Sequence, residues 1–474
     1  MTSSEMLNPF LSPLQREELD PIDLNSILDA MRSHREGFLF ESGLDVAGCG
    51  GWHFCAVDPL CSFEATRDRW SATDASGTLC GGDQDPLTAL EMWWQRWSIE
   101  SSREEFRAGA AEIPFTGGAV GWIGYEAADR FLGLSVVDRS QDPITGFLEG
   151  IPEMYWRLYD EVVAIDANQR KGWFLHRGRA GWQQRRWWLS GDRREQRRRA
   201  PVRIEAASLS DQEYLGAVEE IRKQIGVGEV YEVNMARGLL VEGIPSAPDL
   251  HRLWRTAQPV PYGALIQGDP VSIVSASPEQ FLRRRGEHIV TRPIKGTVPR
   301  HGDAKLDRES SRRLLEDEKE RAELAMIVDL ERNDLGRICQ TGSVAVKCAA
   351  EVEEYASVFH TVATVEGRLR GDPGPGEILR ATFPGGSITG APKIAAMEQI
   401  RRLEPWPRSV YTGSVGWIAP DGDLELSIAI RTALVKDGRA LIPFGGAVTW
   451  DSEPSSERAE LTHKARAMFE ALGL

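Results

Sequence analysis

The chain has 474 residues, enough for a large core and for two or three folding units. Its formal charge of −15 excludes general nucleic-acid binding, and its 41% hydrophobic content is ordinary for a globular protein. No apolar run approaches the ~18 residues a membrane span needs, and the start Met-Thr-Ser-Ser-Glu-Met lacks a signal peptide's basic and apolar segments, so a cytoplasmic protein is expected.

Phe38-Leu-Phe-Glu-Ser-Gly reads as a strand and turn near the N-terminus. Four of the six cysteines follow within 49–80, with His53 between Cys49 and Cys55. Two tight Cys-x(2–4)-Cys pairs, which a structural zinc site would want, are missing, so free thiols are expected. Glu91 to Trp97 reads as helix, and Gly117-Gly-Ala-Val-Gly-Trp-Ile-Gly-Tyr as strand and turn. The stretch 170–199 holds eleven Lys/Arg against two acids, interleaved with Trp173, Trp182, Trp187 and Trp188. A single-strand RNA platform has such a composition. The reading preferred here is a strand, Trp-Phe-Leu-His, leading into a solvated basic linker. Residues 1–190 thus form one region, 191–207 a linker and 208–474 a second region.

The second region opens with a helix. Ser210 and Glu213 have capping-box spacing, Tyr214, Val218, Ile221 and Ile225 recur at helical period, and Gly226 and Gly228 end it. Val230-Tyr-Glu-Val-Asn-Met-Ala then reads as strand. Beyond it strands and helices mix without the alternation of a parallel sheet. The fold class predicted is therefore α+β, built largely on antiparallel sheet.

Arg-Pro-Ile-Lys-Gly-Thr at 292–297 places the amine of Lys295 between a rigid proline and a glycine that allows close ligand approach. Such an amine is a candidate nucleophile once its neutral form is favoured. Glu320 and Glu323 share a helix face, and Glu457 and Glu460 repeat the spacing behind Pro454. Two such helices, if they meet, suit one hard divalent cation such as magnesium. Phe383-Pro-Gly-Gly-Ser-Ile-Thr-Gly-Ala-Pro-Lys is a glycine-rich loop entering a helix, with Pro392 at the first helical position. Its free N–H groups favour an anion. Position 391 is Ala, so the loop lacks the phosphate-binding Gly-Lys-Ser/Thr and a carboxylate is as natural a guest. Tyr411, Arg431 within the apolar Ile-Ala-Ile-Arg-Thr, and the strand glycines Gly445 and Gly446 are further pocket candidates.

Taken together and in order, these motifs resemble the chorismate-utilising enzymes: anthranilate synthases, aminodeoxychorismate synthases and isochorismate synthases. Val-Tyr-Glu-Val-Asn, Ser-Pro-Glu, Pro-Ile-Lys-Gly-Thr, Met-Ile-Val-Asp-Leu-Glu-Arg-Asn-Asp-Leu-Gly-Arg, the Phe-Pro-Gly-Gly loop and Gly-Gly-Ala-Val-Thr-Trp-Asp-Ser carry the resemblance over residues 208 to the end. Phe-Leu-Phe-Glu-Ser and Gly-Gly-Ala-Val-Gly extend it more loosely to the first region. It implies a two-lobed α+β fold with a sandwich-like core and a cleft site. It implies magnesium ligation by Glu323 and Glu460, with Glu320 and Glu457 supporting through water. Gly296, Thr297, Tyr411, Arg431, Gly445 and Gly446 would hold the carboxylates of chorismate, His360 and Ser387 would lie near its ring, and Glu279 would protonate the leaving hydroxyl.

Within that family Lys295 discriminates. Anthranilate and isochorismate synthases carry alanine there, whereas aminodeoxychorismate synthases with lysine use it as a nucleophile on the ring. The resemblance therefore implies amination of chorismate to 4-amino-4-deoxychorismate, the precursor of 4-aminobenzoate and folate, with anthranilate synthase component I as the alternative. Glu232 stands where relatives mostly have Gln or, in isochorismate synthases, Lys, and Ala447 replaces a frequent glycine. No Gly-x-Cys-x-Gly context surrounds any of the six cysteines, so ammonia is expected from solution or from a separate glutamine amidotransferase subunit.

Overall fold

A computed structural model describes residues 8–20, 22–44, 50–67, 69–74, 77, 79–99, 106–134, 142–179 and 201–474. Among these, the chain forms two twelve-stranded sheets, antiparallel throughout, with helices packed around them. The fold is α+β. The first sheet runs from Gln15–Leu19 through Lys171–His176, Val162–Asp166, Trp52–Val57, Gly37–Glu41, Tyr262–Gln267, Ser272–Ser277, Thr432–Lys436, Arg439–Val448 and Glu232–Glu242 to Arg203–Ala207. The second runs from Ile294–Pro299 through Val358–Arg368, His288–Arg292, Gln280–Arg285, Leu424–Ile428, Ser414–Ile418, Gly118–Ile123, Met154–Tyr159, Cys61–Ala65 and Trp70–Thr73 to Leu79–Gly82.

The inner faces of the sheets meet in an aromatic core. The Phe115 ring lies 5.7 Å from that of Phe54 on the first sheet and 4.8 Å from that of Trp417 on the second. Edge-to-face and tilted contacts of this kind add to the stabilisation from area burial alone. Trp173 is buried against this core with Arg16 stacked over it at 4.3 Å, so it is no exposed stacking platform. Trp182, Trp187 and Trp188 lie outside the described residues.

Neither sheet follows the boundary expected at 191–207. Gly37–Glu41 pairs with Tyr262–Gln267, and Gly118–Ile123 pairs with Ser414–Ile418. Of the expected linker, residues 201–207 are described, and Arg203–Ala207 is an edge strand on Glu232–Glu242 rather than free chain. Backbone groups at the end of a long strand gain partners this way. The helix Asp211–Gly226 begins with both hydrogen bonds of the capping box, Glu213 N–H to Ser210 Oγ at 3.2 Å and Ser210 N–H to Glu213 Oε2 at 2.7 Å. Cys55, Cys61, Cys80, Cys339 and Cys348 are free thiols, while Cys49 lies outside the described residues. His53 Nδ1 accepts the Ser42 N–H at 3.1 Å instead of facing a thiol cluster. No described helix is long and apolar enough to cross a membrane.

Candidate active site

Two of the chain's passages from one sheet to the other lie side by side, and each places a functional side chain. Ser272–Ser277 belongs to the first sheet and Gln280–Arg285 to the second, with Glu279 in the link between them. Leu424–Ile428 returns to Thr432–Lys436 through Arg431. Backbone hydrogen bonds tie the crossings together, Ile428 N–H to Glu279 O at 3.1 Å and Ala276 N–H to Arg431 O at 2.9 Å. Arg431 is thus not the strand residue its apolar neighbours suggest. It sits at φ 50°, a conformation that costs an L-residue free energy and recurs at functional sites.

A cavity of about 290 Å³ opens beside the crossings. Lys295, Glu279, Gly296, Thr297, His360, Ser387, Tyr411, Arg431, Gly445, Gly446, Glu320, Glu323, Glu457 and Glu460 all line it. The structure therefore brings together every candidate site residue from positions up to 181 apart in sequence (460 − 279).

Lys295 lies on Ile294–Pro299, beside a register shift against Val358–Arg368. Gly296 absorbs the shift at φ 68°. A Cβ there would come within 2.9 Å of Leu314 Cδ1 and 3.0 Å of Glu320 Oε2. Gly296→Ala is therefore expected to lower stability by roughly 1–2 kcal/mol from the backbone alone and to displace Lys295. Thermal melting should show the lower Tm, and steady-state kinetics a slower reaction.

Lys295 Nζ donates to Glu232 Oε1 at 2.5 Å, and both side chains are buried. Burial alone pushes the ammonium toward its neutral form, but the carboxylates of Glu232 and Glu323 outweigh it and the net shift is upward. Without substrate, then, Lys295 is an ammonium ion. Glu279 shows the reverse balance. Burial pushes its carboxyl up to about 7, against the opposing effects of the Ser387 hydroxyl at 2.6 Å, the Ile294 N–H at 3.3 Å, Lys295 and Arg431. It can hold a proton near neutral pH, as a general acid must.

His360 is held neutral: burial, then the Arg431 charge, push its pKa down to about 3. Arg431 NH2 can only donate, and it lies 3.5 Å from His360 Nε2, so the ring proton sits on Nδ1, which faces Gly296 O at 3.3 Å and Thr297 Oγ1 at 2.9 Å. Arg431 has no carboxylate partner among the described residues, which leaves its guanidinium to an anionic guest. The Tyr411 hydroxyl closes against Gly445, where a Cβ would come within 2.9 Å of it.

The two Glu-x-x-Glu helices, Glu318–Ile338 and Pro454–Glu470, do face each other. Burial, then Asp317 and Glu460 across the cavity, push Glu320 up. Burial pushes Glu323 up to about 7 and Glu457 up as well. Burial alone would raise Glu460 too, but Lys464 at 2.7 Å, with Lys319 and Lys295, turns the shift downward. Among the described residues no three such side chains stand together as a ready metal shell. The lysines occupy part of the acids' capacity: Lys319 also approaches Glu323 at 3.9 Å. The oxygen-only donor set, three of whose four carboxyls burial raises, nonetheless suits a hard divalent cation.

The glycine loop behaves differently from its expected role. Its Gly386 N–H donates to Glu331 Oε1 at 2.9 Å, so the carboxylate it binds is the chain's own. Pro392 is the cap of Lys393–Leu403 rather than its first residue, because the short strand Gly390–Ala391 pairs with Glu232–Glu242 and keeps the chain extended up to it. Sequence reasoning gave no role to Glu331, Lys464 or Arg408, which is buried on the cavity wall between Glu404 and Asn234 O. Lys464 was accessible from its i,i+4 spacing to Glu460.

A fold of two antiparallel sheets around such a pocket matches known proteins. The sequence profile of the chorismate binding enzymes covers residues 50–470, and the chain belongs to that family. It is 32% identical to aminodeoxychorismate synthase component 1 of Bacillus subtilis (strain 168) over 448 residues, 91% of each chain. It is 34% identical to anthranilate synthase component 1 of Streptomyces coelicolor over 414 residues, 82% of this chain and 77% of that one. Anthranilate synthase component I from Streptococcus pneumoniae TIGR4 superposes with a TM-score of 0.74 at 28% identity, covering 90% of this chain and 93% of that one.

Proposed function

We propose that this family member is the chorismate-aminating subunit of an aminodeoxychorismate synthase, forming 4-amino-4-deoxychorismate from chorismate and ammonia. The observation that carries the reading is the amine of Lys295, buried in the cavity beside a carboxyl suited to hold a proton, Glu279. In this reading Arg431, Tyr411, Thr297 and the backbone at Gly296, Gly445 and Gly446 hold the substrate's carboxylates. His360 and Ser387 flank the ring. Glu279 gives its proton to the 4-hydroxyl as it leaves, and Lys295 bonds to the ring until ammonia adds at C4 and displaces it. Glu323 and Glu460, with Glu320 and Glu457 behind them, would hold a magnesium ion, which when bound supplies positive charge against the ring carboxylate. Ammonia would come from a separate glutaminase subunit, or from ammonium salts in its absence.

Product identification tests this. With chorismate, magnesium and ammonium chloride the chain alone should give 4-amino-4-deoxychorismate, and with glutamine alone it should give nothing. Fluorescent anthranilate as the main product would favour the second reading, to which the Streptomyces coelicolor relative points. Chelation should stop turnover, and magnesium should raise the Tm of wild type but not of Glu323→Gln, since loss of one carboxylate weakens a site with few protein ligands.

A further inference from the structure

Lys295 as found is an ion-paired ammonium, and an ammonium has no lone pair with which to attack carbon. Something in the cavity must take its proton, and the surroundings leave few choices. Glu279 is engaged by Ser387 and Ile294 and carries the proton the departing hydroxyl needs. Glu323 acts on Lys295 only through space, without a hydrogen bond. Glu232 touches Nζ directly at 2.5 Å. Its side chain is wholly buried, and its second oxygen, Oε2, has no hydrogen-bond partner among the described residues. Glu232 is also rigidly placed. Its backbone is paired with Ala391, and the next residue, Val233, with Val448 and Gly390.

We propose that Glu232 is the catalytic base that takes the proton of Lys295 when chorismate is bound. The inference rests on the covalent role read for Lys295 above. The proton passes from Nζ to Glu232 Oε1, and the freed lone pair forms the nitrogen–carbon bond to the ring. The ring double bond shifts, the C4–O bond breaks, and the hydroxyl leaves as water with the proton from Glu279. The transfer turns an ion pair into a neutral amine and a neutral acid, which the burial of both side chains favours. Two carboxyls then have opposite tasks, Glu232 accepting a proton and Glu279 donating one. The surroundings fit that division: Glu232, which also accepts from Asn234 Nδ2 at 3.4 Å, already touches the ammonium whose proton it takes, and burial holds the proton on Glu279 against the Ser387 hydroxyl and the Ile294 N–H.

The test is a single turnover with chorismate and magnesium but no ammonia, followed by intact-protein mass spectrometry at timed quenches, with chorismate Kd from tryptophan fluorescence. Glu232→Gln keeps the size and one acceptor oxygen but cannot take a proton. It should slow formation of the Lys295 adduct about 10²-fold, within the range typical of general-base groups, with Kd changed less than threefold. Glu232→Asp, a shorter acid, should recover at least a tenth of the wild-type rate. Adduct formation by Glu232→Gln at the wild-type rate would overturn the proposal. So would an Asp variant as slow as the Gln variant, or a Kd that rises in step with the rate loss, since each would mark a role in packing. Absence of an adduct on wild type itself would remove the covalent reading of Lys295 and this inference with it, an outcome distinct from failure in the variants alone.

Discussion

Lys295→Ala is expected to cut 4-amino-4-deoxychorismate formation at least ~10³-fold while leaving chorismate affinity within a few-fold of wild type. A side-chain amine held against the ring has a large effective concentration over free ammonia, and the variant loses that advantage entirely. Binding survives because Arg431, Tyr411 and Thr297 line the cavity independently of the amine. Residual turnover should shift toward anthranilate, because alanine is the residue of the anthranilate synthases at this place in the motif. Stability has to be followed alongside. Removing the lysine strands Glu232, fully buried, without its cation, and breaking a buried pair from one side costs about 3–5 kcal/mol. Lys295→Ala/Glu232→Gln should recover most of that Tm loss and none of the rate. Recovery of rate together with stability would show that the single variant was slow only because it was misfolded.

Glu279→Gln is expected to lower the rate by about 10²–10⁴-fold, the usual worth of a positioned proton donor. The wild-type pH profile should carry the signature of the same group. Glu279 is pushed up to about 7, so it holds its proton below that value and loses it above. The rate should fall as pH rises through about 7, and the descending limb should vanish in Glu279→Gln. Ser387 donates to Glu279 and opposes the upward shift. Ser387→Ala should therefore move the limb to higher pH. A limb that stays in place in both variants would assign it to another group.

Much of the site was legible because its parts are local. The capping box, the Glu-x-x-Glu pairs and Gly296 each declare themselves within a few residues, and each was found where its spacing placed it. What the spacing could not show is which parts meet. Arg431 reads as a strand residue because its neighbours are apolar, yet Ile428 ends a strand of one sheet, Thr432 begins a strand of the other, and Ala429 and Ile430 lie with Arg431 in the link between them. The glycine loop reads as an anion site, yet its Gly386 N–H already donates to the carboxyl of Glu331, 55 residues upstream. Lys295 reads as a free amine and is paired with Glu232, 63 residues away. Each of these turns on a contact between segments far apart in sequence, which no window of sequence contains. The boundary at 191–207 has the same origin. Composition changes there, while the hydrogen bonds of both sheets run across it.

The covalent role of Lys295 is most directly tested by intact-protein mass spectrometry of the wild-type chain during turnover, with peptide mapping of the modified species. A protein species heavier by chorismate less one water, mapped to Lys295 and absent from Lys295→Ala, is the expected result. Turnover to 4-amino-4-deoxychorismate with no such species at any quench time, in the presence or absence of ammonia, would contradict it.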